Sequence, residues 1–329
     1  MRVLPITAIV AAVSTIAPTQ IASAADQGPP AHKAPVYKAP PPPPAPVYNW
    51  TGVYVGGNVG GSWGNARTDI AESATTVSTI GPFAITNPPA TFADSQTQRL
   101  SGFIGGGQIG YNYQFSPRWV LGFEADIQGS GERASNAFAD PFSSAQCTSA
   151  ITSSCNDNGF VPINGTAVTA YDAKIGWFGT ARGRLGALIG DQVLLYGTGG
   201  LAYGHVELSG ITRVNGSANP PFGTVPFLKP GATAFSESGT KVRYAVGGGM
   251  EGKWSYWLPT GWTWKVEYLY VDLGSLDTVS PFPGATPYPL VPTSPFTGVI
   301  TTHTRFTDNI VRVGLNYKFG YAIAPAIYK

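Results

Sequence analysis

Charged side chains occur at alternate positions of several apolar segments, and they share one face if those segments are strands. Acids and bases on such a face either neutralise one another in a hydrogen-bonded network or line a path for protons or ions. Nine residues form this set: Glu124, Asp126, Arg182, Arg184, Arg243, Glu251, Lys265, Glu267 and Arg312. We favour the network, because a barrel of about eight strands is just wide enough inside for side chains.

Two glycine-rich segments, Gly105–Gly110 and Gly247–Gly252, match the dinucleotide-binding pattern G-x-G-x-x-G. In a nucleotide site this turn ends a strand and opens a helix whose N-terminus holds the pyrophosphate. Both segments instead lie inside strand-like sequence with no helical pattern after them. We interpret these glycines as positions of bending and close packing in a tight sheet, and we expect no nucleotide cofactor.

Histidine, serine and carboxylate groups are the candidates for catalysis, as a lipid-modifying barrel enzyme would need them at its outer rim. Two groups have suitable spacing: His205 with Glu207 and Ser209, and His303 with Asp308. Nearness in sequence is all that links them, and interfacial histidines are commonly not catalytic. We therefore predict a protein that is not an enzyme, with the lipid-modifying enzyme as an alternative.

Cys147 and Cys155 are the two cysteines of the chain, and both fall in one predicted long loop. In an exported protein a nearby pair is expected to be oxidised, which closes a small loop. A Cys–His metal site is the alternative, but no histidine is near them in the sequence. We predict a disulfide and no metal.

The segments that position these residues show a period of two. In the last segment Val311, Val313 and Leu315 fall on one face, and Arg312 and Asn316 fall on the other. This alternation is typical of a strand with one apolar face. A secreted β-sandwich would turn that face inward, whereas a membrane barrel turns it toward lipid. The glycines and mixed charges of the opposite face favour the narrow lumen of a membrane barrel.

Eight segments have this character, and each supplies the about 9–11 residues with which a tilted strand crosses a membrane. They are Trp50–Gly60, Arg99–Gln114, Arg118–Gln128, Asp172–Ile189, Gln192–Leu208, Lys241–Trp254, Trp262–Leu273 and Arg305–Phe319. The short connections are Phe115–Pro117, Gly190–Asp191 and Ser255–Gly261. The long loops are Asn65–Gln98, Gly131–Tyr171, Ser209–Thr240 and Ser275–Thr304. The predicted fold is all-β, a closed antiparallel up-and-down transmembrane β-barrel with short periplasmic turns and long extracellular loops.

Composition agrees with an exported barrel. Of the 329 residues 12% are charged, about half the ~25% of an ordinary soluble protein. The net charge of +2 and the lack of a basic run argue against a nucleic-acid partner. Arg2, the apolar stretch after it and Ala22–Ala24 are typical of a cleaved secretory signal. The predicted organisation is a signal peptide at 1–24, a Pro-rich periplasmic linker at 25–49, the barrel at 50–320 and a C-terminal extension at 321–329.

Four motifs resemble those of a known family. They are Asn49–Gly57 (NWTGVYVGG), Ile104–Tyr113 (IGGGQIGYNY), Trp177–Gly186 (WFGTARGRLG) and Val311–Phe319 (VRVGLNYKF). In this order they resemble the small porin-family outer-membrane proteins of alpha-proteobacteria, the RopB-like group with an OmpA-like barrel. One departure is the segment 321–329, because such barrels usually end at the aromatic residue that the barrel assembly machinery reads.

The resemblance implies an abundant envelope protein of the Gram-negative outer membrane that supports membrane integrity and makes surface contacts. Some relatives bind haem, but no haem-binding residues carry over, and we predict no cofactor. The expected partners are outer-membrane lipid and lipopolysaccharide, the barrel assembly machinery, and surface ligands of the long loops. We predict a structural outer-membrane barrel; the alternatives are a small porin for ions or solutes and the lipid-modifying enzyme.

Overall fold

The computed structural model describes residues 48–80, 83–147, 160–190, 192–220, 223–227, 229–254, 259–286 and 295–320. The predicted signal peptide, nearly all of the linker and the C-terminal extension lie outside these ranges. The predicted disulfide also lies outside them, because Cys155 is not among the described residues. Within the described ranges every regular element is a β-strand. We find among them no helix with the length and apolarity that a membrane crossing demands.

The eleven strands follow one another without an intervening helix in the described chain. They are β1 (Gly52–Thr75), β2 (Val77–Ile80), β3 (Phe83–Thr86), β4 (Ala90–Ser116), β5 (Trp119–Cys147), β6 (Phe160–Ile189), β7 (Val193–Ala218), β8 (Val225–Pro226), β9 (Gly231–Lys253), β10 (Trp262–Pro281) and β11 (Thr297–Lys318).

Eight of these strands form one antiparallel ring in the order β6-β5-β4-β1-β11-β10-β9-β7, and a further pairing of β6 with β7 closes it. The first and last long strands are neighbours, and their register runs from Tyr54 opposite Lys318 to Thr75 opposite Thr297. The short strands β2 and β3 form a separate hairpin, and β8 adds to the end of β7. The ring confirms the all-β, eight-stranded antiparallel barrel that the alternating pattern predicts.

Two glycines at the predicted short connections have backbone conformations that favour glycine. Gly190, between β6 and β7, has φ of 58°. Gly261 has φ of 110°, and its carbonyl oxygen accepts a hydrogen bond of 2.9 Å from the amide of Lys318. A side chain at either position would strain the backbone, so glycine permits the chain to reverse there.

The strands are much longer than predicted. β6 has 30 residues and β10, the shortest of the ring, has 20, whereas about 9–11 residues cross a membrane. Most residues of the four predicted long loops therefore belong to strands. The loop prediction was wrong because those regions are rich in serine, threonine, alanine and glycine, which weaken the visible alternation.

The extended parts of the strands reverse the polarity of the wall. In the membrane-spanning part of β11, Val313 is exposed and Arg312 is buried. Further along the same strand Phe306 and Ile300 are buried, while the side chains of Arg305 and His303 are about half exposed. The wall is thus apolar outside and polar inside where lipid surrounds it, and apolar inside beyond that level. Within the membrane the apolar side chains contact lipid, and beyond it they pack in the interior. In both regions they are kept from water.

Candidate functional site in the barrel lumen

Eight of the nine predicted lumen charges meet in one buried group, which we call the ion-pair cluster. The members are Glu124, Asp126, Arg182, Arg184, Glu251, Lys265, Glu267 and Arg312, and each is at most 4% exposed. They come from five strands, β5, β6, β9, β10 and β11, on which they occupy inward positions. Four acids face four bases, so the cluster is neutral as a whole.

Arg182 lies at the centre of the cluster. Its Nη2 is 2.8 Å from Oε1 of Glu124 and 3.0 Å from Oδ2 of Asp126. Its Nη1 is 3.1 Å from Oε1 of Glu267, and its Nε donates to Oγ1 of Thr180 over 2.7 Å. One guanidinium therefore joins three carboxylates that come from two different strands.

Arg312 and Lys265 complete the neutralisation of the same carboxylates. Nη2 of Arg312 is 2.9 Å from Oδ2 of Asp126 and 2.6 Å from Oε2 of Glu267. Nζ of Lys265 is 2.6 Å from Oε1 of Glu124. Because each carboxylate has at least two cationic partners, no single ion pair carries the cluster. Charges removed from water in this way are stabilised by pairing and hydrogen bonding.

A second layer lies toward the periplasmic turns and is centred on Arg184. Its Nη1 is 3.0 Å from Oε2 of Glu251, and its Nε donates to Oδ1 of Asn112 over 2.9 Å. The guanidinium carbon lies 4.7 Å from the ring centre of Tyr54 and 5.2 Å from that of Tyr196. Two aromatic faces therefore enclose this cation while polar groups take its hydrogens.

The uncharged partners of the cluster were not predicted from the sequence. The Tyr54 hydroxyl donates to Oε2 of Glu124 over 2.8 Å, and the Tyr196 hydroxyl donates to Oε1 of Glu267 over 2.9 Å. Asn316 donates to Oε1 of Glu251 over 3.0 Å. All three lie at inward positions of strands whose outward positions are apolar. The alternation of inward and outward positions is the signal in the sequence that could have identified them.

Arg243 is the exception among the nine and corrects the prediction. Its side chain is 49% exposed and pairs with Asp272 over 3.7 Å, which is outside the cluster. β9 pairs with β10 only as far as Tyr244 opposite Asp272, and the register of β10 with β11 shifts between Asp272 and Gly274. The wall diverges at this point, so an inward position by parity no longer faces the closed lumen.

Apolar side chains occupy much of the interior on the extracellular side of the cluster, beside buried threonines, glutamines and carboxyl groups. We call the apolar group the apolar plug. Four inward residues show its composition: Phe178 of β6, Leu269 of β10, and Phe306 and Ile310 of β11. Each is at most 2% exposed, and they belong to one continuous core cluster. The lumen is thus occupied first by paired charges and then by packed side chains that are mainly apolar.

A buried carboxyl group lies far out on the extracellular extension of β1. Glu72 is 3% exposed, and neither of its carboxylate oxygens has a hydrogen-bond partner among the described residues. Burial, together with the negative charge of Asp140, raises the pKa of Glu72 to about 8. This group is therefore protonated in the folded protein at neutral pH.

The two groups of candidate catalytic residues differ in how the structure places them. His303 is exposed beside Asp277, with Nδ1 2.5 Å from Oδ1, whereas its proposed partner Asp308 is 2% exposed on the opposite face of β11. His205 stacks on Trp177 with ring centres 6.3 Å apart, and its Nε2 is 4.0 Å from Oε1 of Glu207. The separation of His303 from Asp308 corrects that grouping.

Neither glycine motif has the surroundings of a nucleotide site. Gly105–Gly110 lies within β4 and Gly247–Gly252 within β9. Each motif continues as strand, so the interpretation as close-packing positions agrees with their placement. The described residues also hold no group of three or more histidine, cysteine, aspartate or glutamate side chains suited to a metal ion.

Comparison with known proteins identifies the family to which this architecture belongs. Residues 39–319 match the model of the outer membrane protein beta-barrel domain. The chain is 30% identical over 284 residues to the 31 kDa outer-membrane immunogenic protein of Brucella melitensis biotype 1, which covers 84% of this chain and 86% of the relative. It is 28% identical over 174 residues to the 22 kDa outer membrane protein of Rhizobium leguminosarum bv. viciae, covering 52% and 54% of the two chains.

Among solved structures, Ail, the attachment invasion locus protein of Yersinia pestis, is similar to this chain at 13% sequence identity and a TM-score of 0.25. The alignment covers 76% of this chain and 98% of Ail. The matched family and the Brucella and Rhizobium relatives place the protein in the outer membrane of the cell. The chain belongs to the outer membrane protein β-barrel domain family.

Proposed function

We propose that this protein is a structural component of the outer membrane, with a filled lumen and strand ends that present a surface outside the cell. The single observation that carries the proposal is the ion-pair cluster. Its eight charged side chains are bound to one another and are at most 4% exposed. They stabilise the ring from within, because Arg182 of β6 joins carboxylates of β5 and β10.

The small porin is the second candidate, and the same observation argues against it. A conducting path needs charged groups that bind ions weakly enough to release them. The carboxylates here are already bound to Arg182, Lys265 and Arg312 at distances of 3.1 Å or less. The apolar plug occupies the next part of the interior, so an ion would meet a second, unsolvated barrier.

The strand extensions support a role at the cell surface. With the chain ends on the periplasmic side, the extensions of β4, β5, β6 and their neighbours lie on the extracellular side. Beyond Trp63, for example, β1 continues for another twelve residues to Thr75. A Brucella relative is named an outer-membrane immunogenic protein, and an exposed surface of this kind would suit that name.

Deletion of the gene tests the proposal, because a structural protein and a porin predict opposite results. Loss of a structural barrel should increase leakage, measured as faster entry of a hydrophobic dye and greater sensitivity to detergent. The parent gene should restore the barrier. Val313→Arg is the matched control, because a charge on the lipid-facing side costs about 2–4 kcal/mol at mid-membrane and should prevent restoration.

Slower uptake of small hydrophilic solutes after deletion, with an unchanged barrier to the dye, would contradict the structural role. The same experiment would then favour the porin. Restoration of the barrier by Val313→Arg to the parental level would show that the lipid-facing assignment is wrong.

A further inference from the structure

The extracellular end of the lipid-facing wall is marked by exposed aromatic residues. Trp63 of β1 is 51% exposed, Phe103 of β4 is 88% exposed and Trp177 of β6 is 37% exposed, and all three point outward. Tryptophan and other aromatic residues gather where a barrel wall meets the headgroups of the membrane. These three residues therefore mark the level of the outer-leaflet headgroups.

Outward cations follow just beyond these aromatics on five consecutive strands, and we call them the basic belt. In order around the ring they are Arg305 of β11, Arg67 of β1, Arg99 of β4, Arg133 of β5 and Lys174 of β6. Arg67 lies four residues beyond Trp63, and Arg99 four residues beyond Phe103, which is about 13 Å along a strand. Long basic side chains at this position reach back to the interface.

The strand register makes the basic belt continuous. Arg67 is directly opposite Arg305, and Arg133 is directly opposite Lys174. Arg99 is opposite Asn65, and Arg133 is opposite Ser101, so Arg99 is diagonal to both Arg67 and Arg133. Directly opposed side chains are about 4.5–5.5 Å apart at Cβ, and diagonal ones about 7–8 Å. One anionic headgroup with two charged groups can therefore contact several members at once.

The charges of the basic belt are only partly balanced by the protein. Arg67 pairs with Asp69 over 3.4 Å, Lys174 with Glu207 over 3.1 Å, and Arg305 with Asp272 over 2.6 Å. In the part of the chain that the structure describes, Arg99 and Arg133 have no ion pair. Like charges directly opposite on neighbouring strands destabilise a sheet. The belt contains two such pairs, and Arg99 and Arg133 have no ion pair among the described residues, so an anion from outside the chain would relieve this repulsion.

We propose that the basic belt binds the phosphorylated headgroup of lipopolysaccharide in the outer leaflet, with Arg99 and Arg133 as its centre. Guanidinium groups bind phosphate with two parallel hydrogen bonds, and Lys174 adds a point charge at one side. The acyl chains of the same lipid lie against the apolar wall below Trp63 and Phe103. The belt thus holds the lipid at its headgroup while the wall contacts its chains.

The test measures binding of diphosphoryl lipid A to the full protein, purified from outer membranes in detergent, by native mass spectrometry and calorimetric titration. The parent should bind saturably, with an affinity that falls as salt rises. The double variant Arg99→Gln/Arg133→Gln should bind at least tenfold more weakly. Arg118→Gln is the matched control, because Arg118 is an exposed arginine in the periplasmic turn before β5. The affinity of this variant should equal that of the parent.

Several results would overturn the proposal, and the first three concern binding of lipid A. They are unchanged binding by the double variant, equal loss in Arg118→Gln, and equally strong binding of dephosphorylated lipid A. Equal competition by inorganic phosphate or phosphatidylglycerol would likewise show a general anion surface and not a lipopolysaccharide site. If the double variant does not show the heat-dependent gel mobility of a folded barrel, the variant Arg67→Gln/Lys174→Gln tests the flanks of the belt instead. Its affinity for lipid A should be at least fivefold weaker than that of the parent. An unchanged affinity would contradict the assignment.

Discussion

Arg182 shows at the residue scale how the lumen is filled. Its guanidinium is fully buried and contacts three carboxylates, Glu124, Asp126 and Glu267. A buried ion pair adds modest stability compared with apolar residues of the same volume, but the loss of one partner leaves an uncompensated buried charge. The side chain therefore matters most through what its absence would expose.

We expect Arg182→Met to destabilise the folded barrel by about 3–5 kcal/mol, because the carboxylates would lose a shared cation. The measurement is urea unfolding in lipid vesicles, followed by tryptophan fluorescence. Arg118→Met, an exposed arginine in the turn before β5, is the control and should leave the free energy of unfolding unchanged. A loss below about 1 kcal/mol for Arg182→Met, as at a surface ion pair, would contradict the role of the cluster.

Burial of Glu72 predicts that the free energy of unfolding depends on pH. Its pKa is about 8 in the folded state, raised by burial and by Asp140, against an ordinary value of 4.5. Between these values the folded state holds a proton that the unfolded state has lost, so stability falls as pH rises, by up to about 1.4 kcal/mol per unit. Below pH 4.5 and above pH 8, Glu72 does not change the free energy of unfolding with pH.

Unfolding of the parent and of Glu72→Gln should therefore be compared from pH 5 to pH 8.5. The neutral amide has no proton to lose, so the variant should show a flatter decline over this window. Glu237→Gln changes an exposed carboxylate of β9 and should keep the parental slope. Equal slopes in Glu72→Gln and the parent would mean that Glu72 is not held protonated.

At the scale of single strands, β4 shows why glycines alternate in function along one motif. A Cβ atom at Gly106 would meet the carbonyl oxygen of Ile127 and lie 2.6 Å from Oε1 of Gln128. At the neighbouring Gly105 the nearest atoms would be 3.7 Å away. Gly106 points into the narrow lumen and Gly105 points toward lipid, so only the inner glycine is required by packing.

Gly106→Ala should therefore lower the fraction of folded barrel and destabilise it by about 1–3 kcal/mol or more, as overpacking does. Gly105→Ala is the matched control one residue away and should fold like the parent. Heat-dependent gel mobility and urea unfolding measure both variants. Equal behaviour of the two alanine variants would contradict the inward and outward assignment of β4.

The sequence predicted the strands within the membrane well and their continuation poorly. Alternation is strong where lipid selects apolar outer residues, as at Val311 and Val313 of β11. Beyond that level the apolar residues lie on the inner face instead, as Phe306 and Ile300 do. Threonines occupy the inward positions between these two residues. The alternation with apolar residues on the outer face stops at this level. The rest of each strand therefore resembles a loop in the sequence.

The same parity identified most of the buried charges but not the arrangement of the site. It gives the face of a residue, and it fails at Arg243, where β9 and β10 diverge and the register shifts. It does not give partners on distant strands. The contact of Tyr54 with Glu124, 70 positions apart, follows from the order and stagger of the strands in the closed ring.

For the whole molecule, the two fillings of the interior have complementary roles. The ion-pair cluster connects five strands within the membrane. In that region the outer face of the barrel is apolar and contacts lipid. The apolar plug holds together the extensions outside the membrane by the ordinary burial of apolar area. The barrel is therefore expected to be a closed and stiff support for its extracellular end.

Planar-bilayer conductance of the full, folded protein tests this account most directly. Heat-dependent gel mobility first establishes that the inserted protein is a folded barrel. We predict no discrete conductance steps, because paired charges and then packed apolar side chains occupy the lumen. Reproducible steps in the folded parent, with a size or ion selectivity altered by Arg182→Met, would contradict the filled lumen and establish a pore.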